Sequence, residues 1–211
     1  AHYVMGIQSE GTAACVKHFA ANSQETNRNA NDSRVSQRAL RELYLRTFEL
    51  AVRISNPWTV MTAYNSINGK STCEDISLTE TVLRGEWNYK GLVVSDWNAG
   101  SNATASMVAG NDMLQPGQDK QYHELLANAK NGRLPMAVLD RNVKRILQFI
   151  VKCHNFNNYT YSNEPDLKQH AADDRKIGAE SMVLLKNENV LPLLAGQNVA
   201  LYGCTSYDII P

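Results

Sequence analysis

Polar or aromatic side chains that could do chemistry stand at the ends of three apolar runs of the sequence. In chain order they are Lys17 and His18, Met61 and Tyr64, and Asp96 and Trp97. A carboxylate or an ammonium at the end of a buried strand is costly unless it finds a partner, and sugar hydroxyls are suitable partners. Indole and phenol rings can stack on the apolar face of a sugar. The set therefore fits an uncharged, polyhydroxylated ligand.

Each of these side chains also has a purely structural explanation. Asp96 could cap the helix that follows its strand, because aspartate is a favoured N-cap residue. Trp97 could pack in the core, and His18 could be a satisfied structural histidine. The residue types alone leave these alternatives open.

The elements that must position these side chains alternate between apolar strands and amphipathic helices. Strands are expected at 13–19, 58–64, 91–96 and near 112–115, and helices at about 36–55, 77–87, 120–130 and 136–153. This order is typical of a parallel sheet in a (β/α)8 barrel or a doubly wound fold. The carboxyl ends of parallel strands meet at one mouth, so the three strand ends should share a pocket. Four βα units are about half of a closed barrel.

Local signals refine this arrangement. Asn68 and Gly69 are typical of a tight turn. Ser77 and Glu80 have the spacing of a capping box at the start of a helix. Cys15 lies in an apolar run and is expected in the core.

The last quarter of the chain has a different character. Residues 154–165 are polar, rich in asparagine and without periodicity, and we interpret them as a linker. A helix is expected at about 166–182 and a buried strand at 198–204. Such a strand would need a partner, so we expect the chain to be an internal piece of a longer protein.

Charge and motif content exclude several classes of function. Lys+Arg and Asp+Glu both number 21, so no basic excess favours nucleic acid. No apolar run approaches the roughly 20 residues that span a bilayer, and we expect no membrane partner. Nucleotide-binding and zinc motifs are absent, so neither a cofactor nor a metal is expected.

Five blocks of sequence, in order, resemble family 3 glycoside hydrolases. They are KHFAANSQETNR (17–28), VSQRALRELYLRTFELAV (35–52), VMTAYNSING (60–69), LTETVLRGEWNYKGLVVSDW (78–97) and ESMVLLKNENVLPL (180–193). The resemblance covers nearly the whole chain.

This resemblance implies an α/β fold and a domain division. Residues 1–153 would be the C-terminal half of a (β/α)8 TIM-type barrel that carries the catalytic nucleophile. Residues 154–165 would be the linker, and residues 166–211 would be the truncated opening segment of an α/β-sandwich domain.

The resemblance also implies residue roles in a retaining mechanism on β-linked sugars. Asp96, in the S-D-W motif, corresponds to the family's nucleophile. The residues that correspond to those binding the non-reducing sugar are Lys17, His18, Met61, Tyr64 and Trp97. A neighbouring Lys17 would favour the ionised form of Asp96.

The acid that protonates the leaving group is expected outside this chain. In the β-glucosidase-like branch it is a glutamate of the sandwich domain, and neither Glu180 nor Glu188 is assigned that role. In the β-N-acetylhexosaminidase branch it is a histidine in a D-S-H motif. The segment 32–34 reads Asp-Ser-Arg instead, which argues against that branch.

We therefore expect an exo-acting β-glycosidase, in the first place a β-glucosidase, whose 211-residue piece is inactive without the remaining segments of the enzyme. The alternatives are a β-xylosidase or α-L-arabinofuranosidase of the same family, or a sugar-binding relative without catalysis. The family analogy favours a periplasmic or secreted location and leaves a homodimer open.

Overall fold

The computed structural model describes residues 1–206, which form two compact units. One unit is Ala1–Thr160 and the other begins at Tyr161. The helices of the first unit are α1 His2–Ser9, α2 Gln37–Ala39, α3 Arg46–Ser55, α4 Ala103–Ala109, α5 Asp119–Lys130 and α6 Met136–Ile150, and a π-helix covers Ser77–Glu86. Its strands are β1 Cys15–Phe19, β2 Asp32–Ser33, β3 Thr59–Thr62, β4 Ser66–Ile67, β5 Lys70–Ser71 and β6 Leu92–Val94. Within residues 1–206 no helix combines the length and the apolarity that crossing a bilayer requires.

The main sheet is parallel, as the alternation of strands and helices predicts. Its strand order is β1-β3-β6, and Val60 of β3 pairs with Val16 of β1 and Val93 of β6. The strand expected near 112–115 was wrong, because only a single bridge joins Val94 to Met113. The amide of Met113 donates to the Val93 carbonyl, as does the preceding amide, so the chain there does not run on as a regular ladder.

The helix predicted at 36–55 is confirmed in extent but contains a π-helical turn. Ser36 caps it, since its Oγ accepts from the amide of Ala39 at 3.1 Å. The π-helical turn Leu40–Tyr44 lies between α2 and α3. The helix ends at Asn56, which has a left-handed conformation with φ 44° and precedes proline, a residue that disfavours helix continuation.

A second small sheet consists of β2, β4 and β5 and contains the predicted turn. β4 pairs with β2 in parallel and with β5 antiparallel. Asn68 and Gly69 join β4 to β5 with φ values of 51° and 86°, as a two-residue hairpin of the primed type requires. The Asn-Gly prediction is therefore confirmed.

The capping box predicted for Ser77 and Glu80 was wrong. The Asp75 carboxylate takes the capping position, because its Oδ1 accepts from the Ser77 amide at 2.9 Å and from the Ser77 hydroxyl at 2.6 Å. Glu80 turns instead toward the arginines of an ionic cluster. The arginines that attract Glu80 therefore outcompete the local capping bond that its spacing from Ser77 predicts.

The ionic cluster consists of Asp112, Glu80, Arg84, Arg141 and Arg145. The Asp112 carboxylate is fully buried and accepts from Arg84 Nη2 at 2.7 Å and Arg145 Nη1 at 3.0 Å. Glu80 Oε1 lies 3.4–3.7 Å from nitrogens of the three arginines. Burial raises the pKa of Asp112 and lowers that of Arg84, because desolvation penalises both charges. The Val93 amide is a third donor to the Asp112 carboxylate, and the arginines of the cluster connect α6 to the π-helix.

The hydrophobic core lies between the main sheet and the helices, and Cys15 is not in it. Phe19, Val60, Leu83 and Val93 are fully buried. Cys15 is exposed, so its prediction as a core residue was wrong. β1 is the outermost strand of the described sheet, and Cys15 occupies the open side of it.

The second unit is described through residue 206, and its side chains are almost entirely exposed. Its helix α7, Leu167–Glu180, begins at Asp166, whose side chain accepts from the Gln169 amide. The buried strand predicted at 198–204 was wrong, because the segment has no strand pairing in the described chain and Leu201 is 72% exposed. A strand cannot form without a neighbour to accept its backbone hydrogen bonds. The rest of the predicted sandwich segment, 207–211, lies outside the described residues.

Candidate functional site

Asp96 lies two residues beyond β6 and has one carboxylate oxygen without a hydrogen-bond donor. Oδ1 accepts from the Trp97 amide at 2.8 Å. Oδ2 lies 3.3 Å from Nε2 of His18, yet the contact lacks hydrogen-bond geometry, so Oδ2 is buried without a bonded partner among residues 1–206. An unsatisfied carboxylate oxygen lowers stability. Such a group is typical of a site kept for a ligand.

His18 reaches Asp96 from β1, two strands away in the sheet. Burial lowers the pKa of His18, and the nearby Asp96 opposes this shift only in part. The ring is therefore neutral near pH 7 and leaves the Asp96 charge uncompensated. A neutral imidazole has one donor and one acceptor nitrogen, which suits a hydroxyl ligand.

An open cleft of about 370 Å³ is lined by Trp97, the residue that follows Asp96. Tyr64, Ser66 and Ser71 line one wall, and the segment 97–101 lines the other. Trp97 is 59% exposed, so its indole face is available to a ligand. The structure thus brings Tyr64 and Trp97 into one cleft, as the convergence of strand ends predicts.

Arg28 joins this site without having been predicted from the sequence. Its guanidinium lies 4.6 Å from the centroid of the Tyr64 ring and pairs with Glu25 at 2.9 Å. Arg28 closes the first sequence block that resembles the family, but it stands in a loop where no periodicity marks it.

Lys17 and Met61 are less clearly placed. Lys17 is exposed, so the expectation that it is a buried lysine was wrong, and its amine forms no ion pair in the described part of the chain. Met61 is partly buried in β3, opposite Val94. The sugar-binding roles of both residues stay predictions.

A buried network of hydrogen bonds joins the carboxyl end of β3 to neighbouring segments of the chain. Thr62 Oγ1 donates to Asn111 Oδ1 at 2.8 Å, and Asn111 Nδ2 donates to the Cys73 carbonyl at 2.6 Å. The Cys73 thiol lies 3.1 Å from Thr62 Oγ1, and burial raises its pKa to about 11. This network fixes β3 against the chain that follows the hairpin.

The described residues contain no group of three or more His, Cys, Asp or Glu side chains that could hold a metal ion.

Parallel strands, their covering helices and a carboxylate at the strand ends place the first unit among TIM-barrel-type α/β folds. Residues 1–149 match the family model described as "Glycosyl hydrolase family 3 N terminal domain". The chain belongs to this family, as the five sequence blocks predict, and the barrel-type fold class is confirmed.

Relatives and solved structures agree with this membership. The chain is 42% identical to beta-glucosidase B of Emericella nidulans over 96% of its own length and 25% of the relative. It is 38% identical to an exo-alpha-(1->6)-L-arabinopyranosidase of Bifidobacterium breve over 92% of its length and 25% of that protein. The structure of beta-glucosidase 3B from Thermotoga neapolitana in complex with glucose superposes with a TM-score of 0.85 at 48% identity, covering 91% of this chain and 28% of that one. The chain thus spans about a quarter of the length of the proteins it matches.

Proposed function

We propose that this chain supplies the nucleophile and part of the sugar site of a retaining, exo-acting β-glycosidase, and that the activity is that of a β-glucosidase. The observation that carries the proposal is the buried Asp96 carboxylate, whose Oδ2 has no donor and whose neighbour Trp97 lines a cleft together with Tyr64. A structural capping aspartate would have its oxygens bonded to amides. The β-glucosidase relatives support the choice of sugar.

The proposed reaction has two steps. Asp96 attacks the anomeric carbon and forms a glycosyl ester while the glycosidic C–O bond breaks and the leaving oxygen takes a proton from an acid. Water then attacks the ester. The residue that served as the acid, now deprotonated, acts as the base for this water, so the configuration is retained. A retaining enzyme needs that second carboxyl group about 5–5.5 Å from the first.

We place the acid in the α/β-sandwich domain. The proposed division is the second barrel half at 1–153, a linker at 154–165 and the start of the sandwich at 166–211. Glu180 and Glu188 stay unassigned, because both side chains are largely exposed and each pairs with a lysine.

Five side chains are proposed to bind the terminal sugar. The neutral His18 ring would exchange hydrogen bonds with a hydroxyl, Lys17 would donate to hydroxyls, and Trp97 and Tyr64 would present ring faces. Met61 would supply an apolar wall. Arg28 would hold Tyr64 in place through its stacked guanidinium.

Two alternatives remain. A β-xylosidase or α-L-arabinofuranosidase activity is supported by the arabinopyranosidase relative, because arabinose, like xylose, is a pentose. A sugar-binding relative without catalysis would keep the pocket but lose a catalytic carboxylate, and the presence of Asp96 argues against it.

A chimera tests the proposal. Residues 1–211 would replace the matching segment of the Thermotoga neapolitana enzyme, to which they are 48% identical. We expect turnover of an aryl β-glucoside in preference to xyloside and arabinoside substrates, and a covalent adduct on Asp96 after treatment with a 2-fluoro glucoside. Asp96→Asn should abolish both, and the matched variant Asp140→Asn, at an exposed position of α6, should abolish neither. Labelling of another carboxylate would refute the assignment of Asp96.

A further inference from the structure

The segment that carries Trp97 is tied down at its far end by Glu74. One oxygen of this carboxylate, Oε1, accepts from the Ser101 amide at 2.6 Å and the Asn102 amide at 2.9 Å. It also accepts from the Ser101 hydroxyl at 3.2 Å. Hydrogen bonds to an ionised acceptor are stronger than neutral ones, so Glu74 is the strongest anchor that these two residues have in the described chain.

Glu74 stands three residues after Ser71, which lines the cleft together with Tyr64 and Ser66. It ends the short 3₁₀ helix Thr72–Glu74, which follows directly on Ser71, a residue lining the wall that contains Tyr64. Ser101 is the last residue of the wall that contains Trp97. The Glu74 carboxylate therefore connects the end of one wall to the end of the other.

The segment is shaped to receive this contact. Gly100 has φ +79°, and a Cβ built there would lie 3.3 Å from Glu74 Oε1 and 3.0 Å from Ser106 Oγ. Asn98, next to Trp97, is also left-handed, with φ 62°, and its amide donates to the Gln115 carbonyl at 3.0 Å. The span 98–101, which begins directly after Trp97, is thus held at one end by a backbone bond and at the other by Glu74.

Helix capping does not explain the contact. The N-terminus of α4 already has its own acceptors, because Asn102 Oδ1 accepts from the Ala105 amide at 2.8 Å. Glu124 Oε1, from α5, accepts from the Thr104 amide at 2.9 Å. Glu74 instead serves the two residues that precede the helix.

We propose that Glu74 is a positioning residue that sets the width of the cleft and holds Trp97 and Asp96 in register with the sugar. The inference rests on the proposed glycosidase function. Glu74 is not proposed to touch substrate or to exchange a proton with it. A misplacement of about 1 Å in an active site can lower the rate by on the order of 10²-fold.

The first experiment needs no catalysis. Hydrogen–deuterium exchange at the amides of Ser101 and Asn102 would be measured on the 211-residue chain and on its Glu74→Ala and Glu74→Gln variants. Both residues are exposed, so their protection depends on the carboxylate. Glu74→Ala should speed this exchange about tenfold or more, whereas Glu74→Gln, which keeps an acceptor oxygen, should retain much of the protection.

The second experiment uses the chimera described above. Glu74→Ala should lower kcat/KM for an aryl β-glucoside by on the order of 10²-fold, and Glu74→Gln should restore most of it. The pH–rate profile should keep its shape, because Glu74 is not the acid or the base. Glu124→Ala is the matched control. It removes a half-buried carboxylate that binds the Thr104 amide at the start of α4 but does not line the cleft. It should leave kcat/KM within about threefold of the parent.

The outcomes separate the two proposals. An inactive parent chimera would count against the proposed function, whereas the exchange experiment still decides whether Glu74 anchors the segment. Unchanged exchange in Glu74→Ala would overturn the anchoring role. Faster exchange with the same kcat/KM as Glu124→Ala would reduce Glu74 to a structural residue, and loss of one limb of the pH profile would make it a catalytic group instead.

Discussion

Replacing Asp112 by alanine should reveal how strongly the ionic cluster stabilises the first unit. The carboxylate has no exposed surface and accepts from Arg84, Arg145 and the Val93 amide at 2.7–3.0 Å. Removing it leaves Arg84, which is 6% exposed, and a buried amide without their acceptor. Breaking a buried pair in this way costs about 3–5 kcal/mol.

The expected loss is large enough to measure by thermal unfolding. For a unit of this size each kcal/mol corresponds to about 2–4 °C in Tm, so Asp112→Ala should lower Tm by roughly 6–20 °C. Circular dichroism of the 211-residue chain would follow the transition. Asp140→Ala removes an exposed aspartate from α6 and should stay within about 0.5 kcal/mol of the parent.

A second substitution separates the lost charge from the lost volume. Adding Arg84→Met to Asp112→Ala removes the orphaned guanidinium, so the double variant should recover part of the stability, with a coupling energy of about 0.5–3 kcal/mol. A loss below about 1 kcal/mol for Asp112→Ala, or no coupling to Arg84, would refute the view that the cluster is a buried, ionised unit.

Three further outcomes are expected. Asp96→Asn should lower the pKa of His18 still further below its ordinary value of 6.5, because the carboxylate is the attraction that opposes burial; NMR titration would show it, and a raised pKa would contradict it. Because the folded pKa is lowered, the stability contributed by neutral His18 is present above about pH 6.5 and lost as the pH falls through the folded value. The Cys73 thiol, whose pKa is about 11, should resist a thiol reagent at pH 8 in the folded chain and react in urea; equal rates in both would contradict its burial. Gly91→Ala should lower the stability by about 1–3 kcal/mol, since its Cβ would lie 2.6 Å from a backbone carbonyl. Gly6→Ala lies in open space on α1 and should raise the stability by about 0.5–1 kcal/mol. The Tm values of the two variants test both expectations, and equal values would contradict them.

The rule that the carboxyl ends of parallel strands meet at one edge of a sheet predicts much of the site, because this rule depends on topology alone. The apolar runs identify β1, β3 and β6, and parallel pairing brings their carboxyl ends to one edge. His18 and Asp96 are 78 positions apart in sequence, yet their side chains approach to 3.3 Å. The same logic does not give side-chain burial, because Lys17, which was expected to be buried, is exposed.

The missed features depend on partners far along the chain. Ser77 and Glu80 have capping spacing, but three arginines compete for Glu80 and two of them lie on α6. Glu74 and Arg28 stand in irregular segments where neither helical nor strand periodicity applies. The segment 198–204 has a strand-like pattern, but a strand also needs a neighbour, which no local pattern supplies.

At its outer edge, the strand β6, which leads to Asp96, is bonded partly by a side chain. A side-chain carboxylate oxygen of Asp112, rather than a backbone carbonyl, takes the amide of Val93, and the two arginines that hold this carboxylate surround it with charge. An unpaired strand edge is a template on which foreign strands can assemble. Here Asp112 takes the Val93 amide, and the amides of residues 112 and 113 donate to the Val93 carbonyl, so this edge offers an incoming strand fewer free backbone groups.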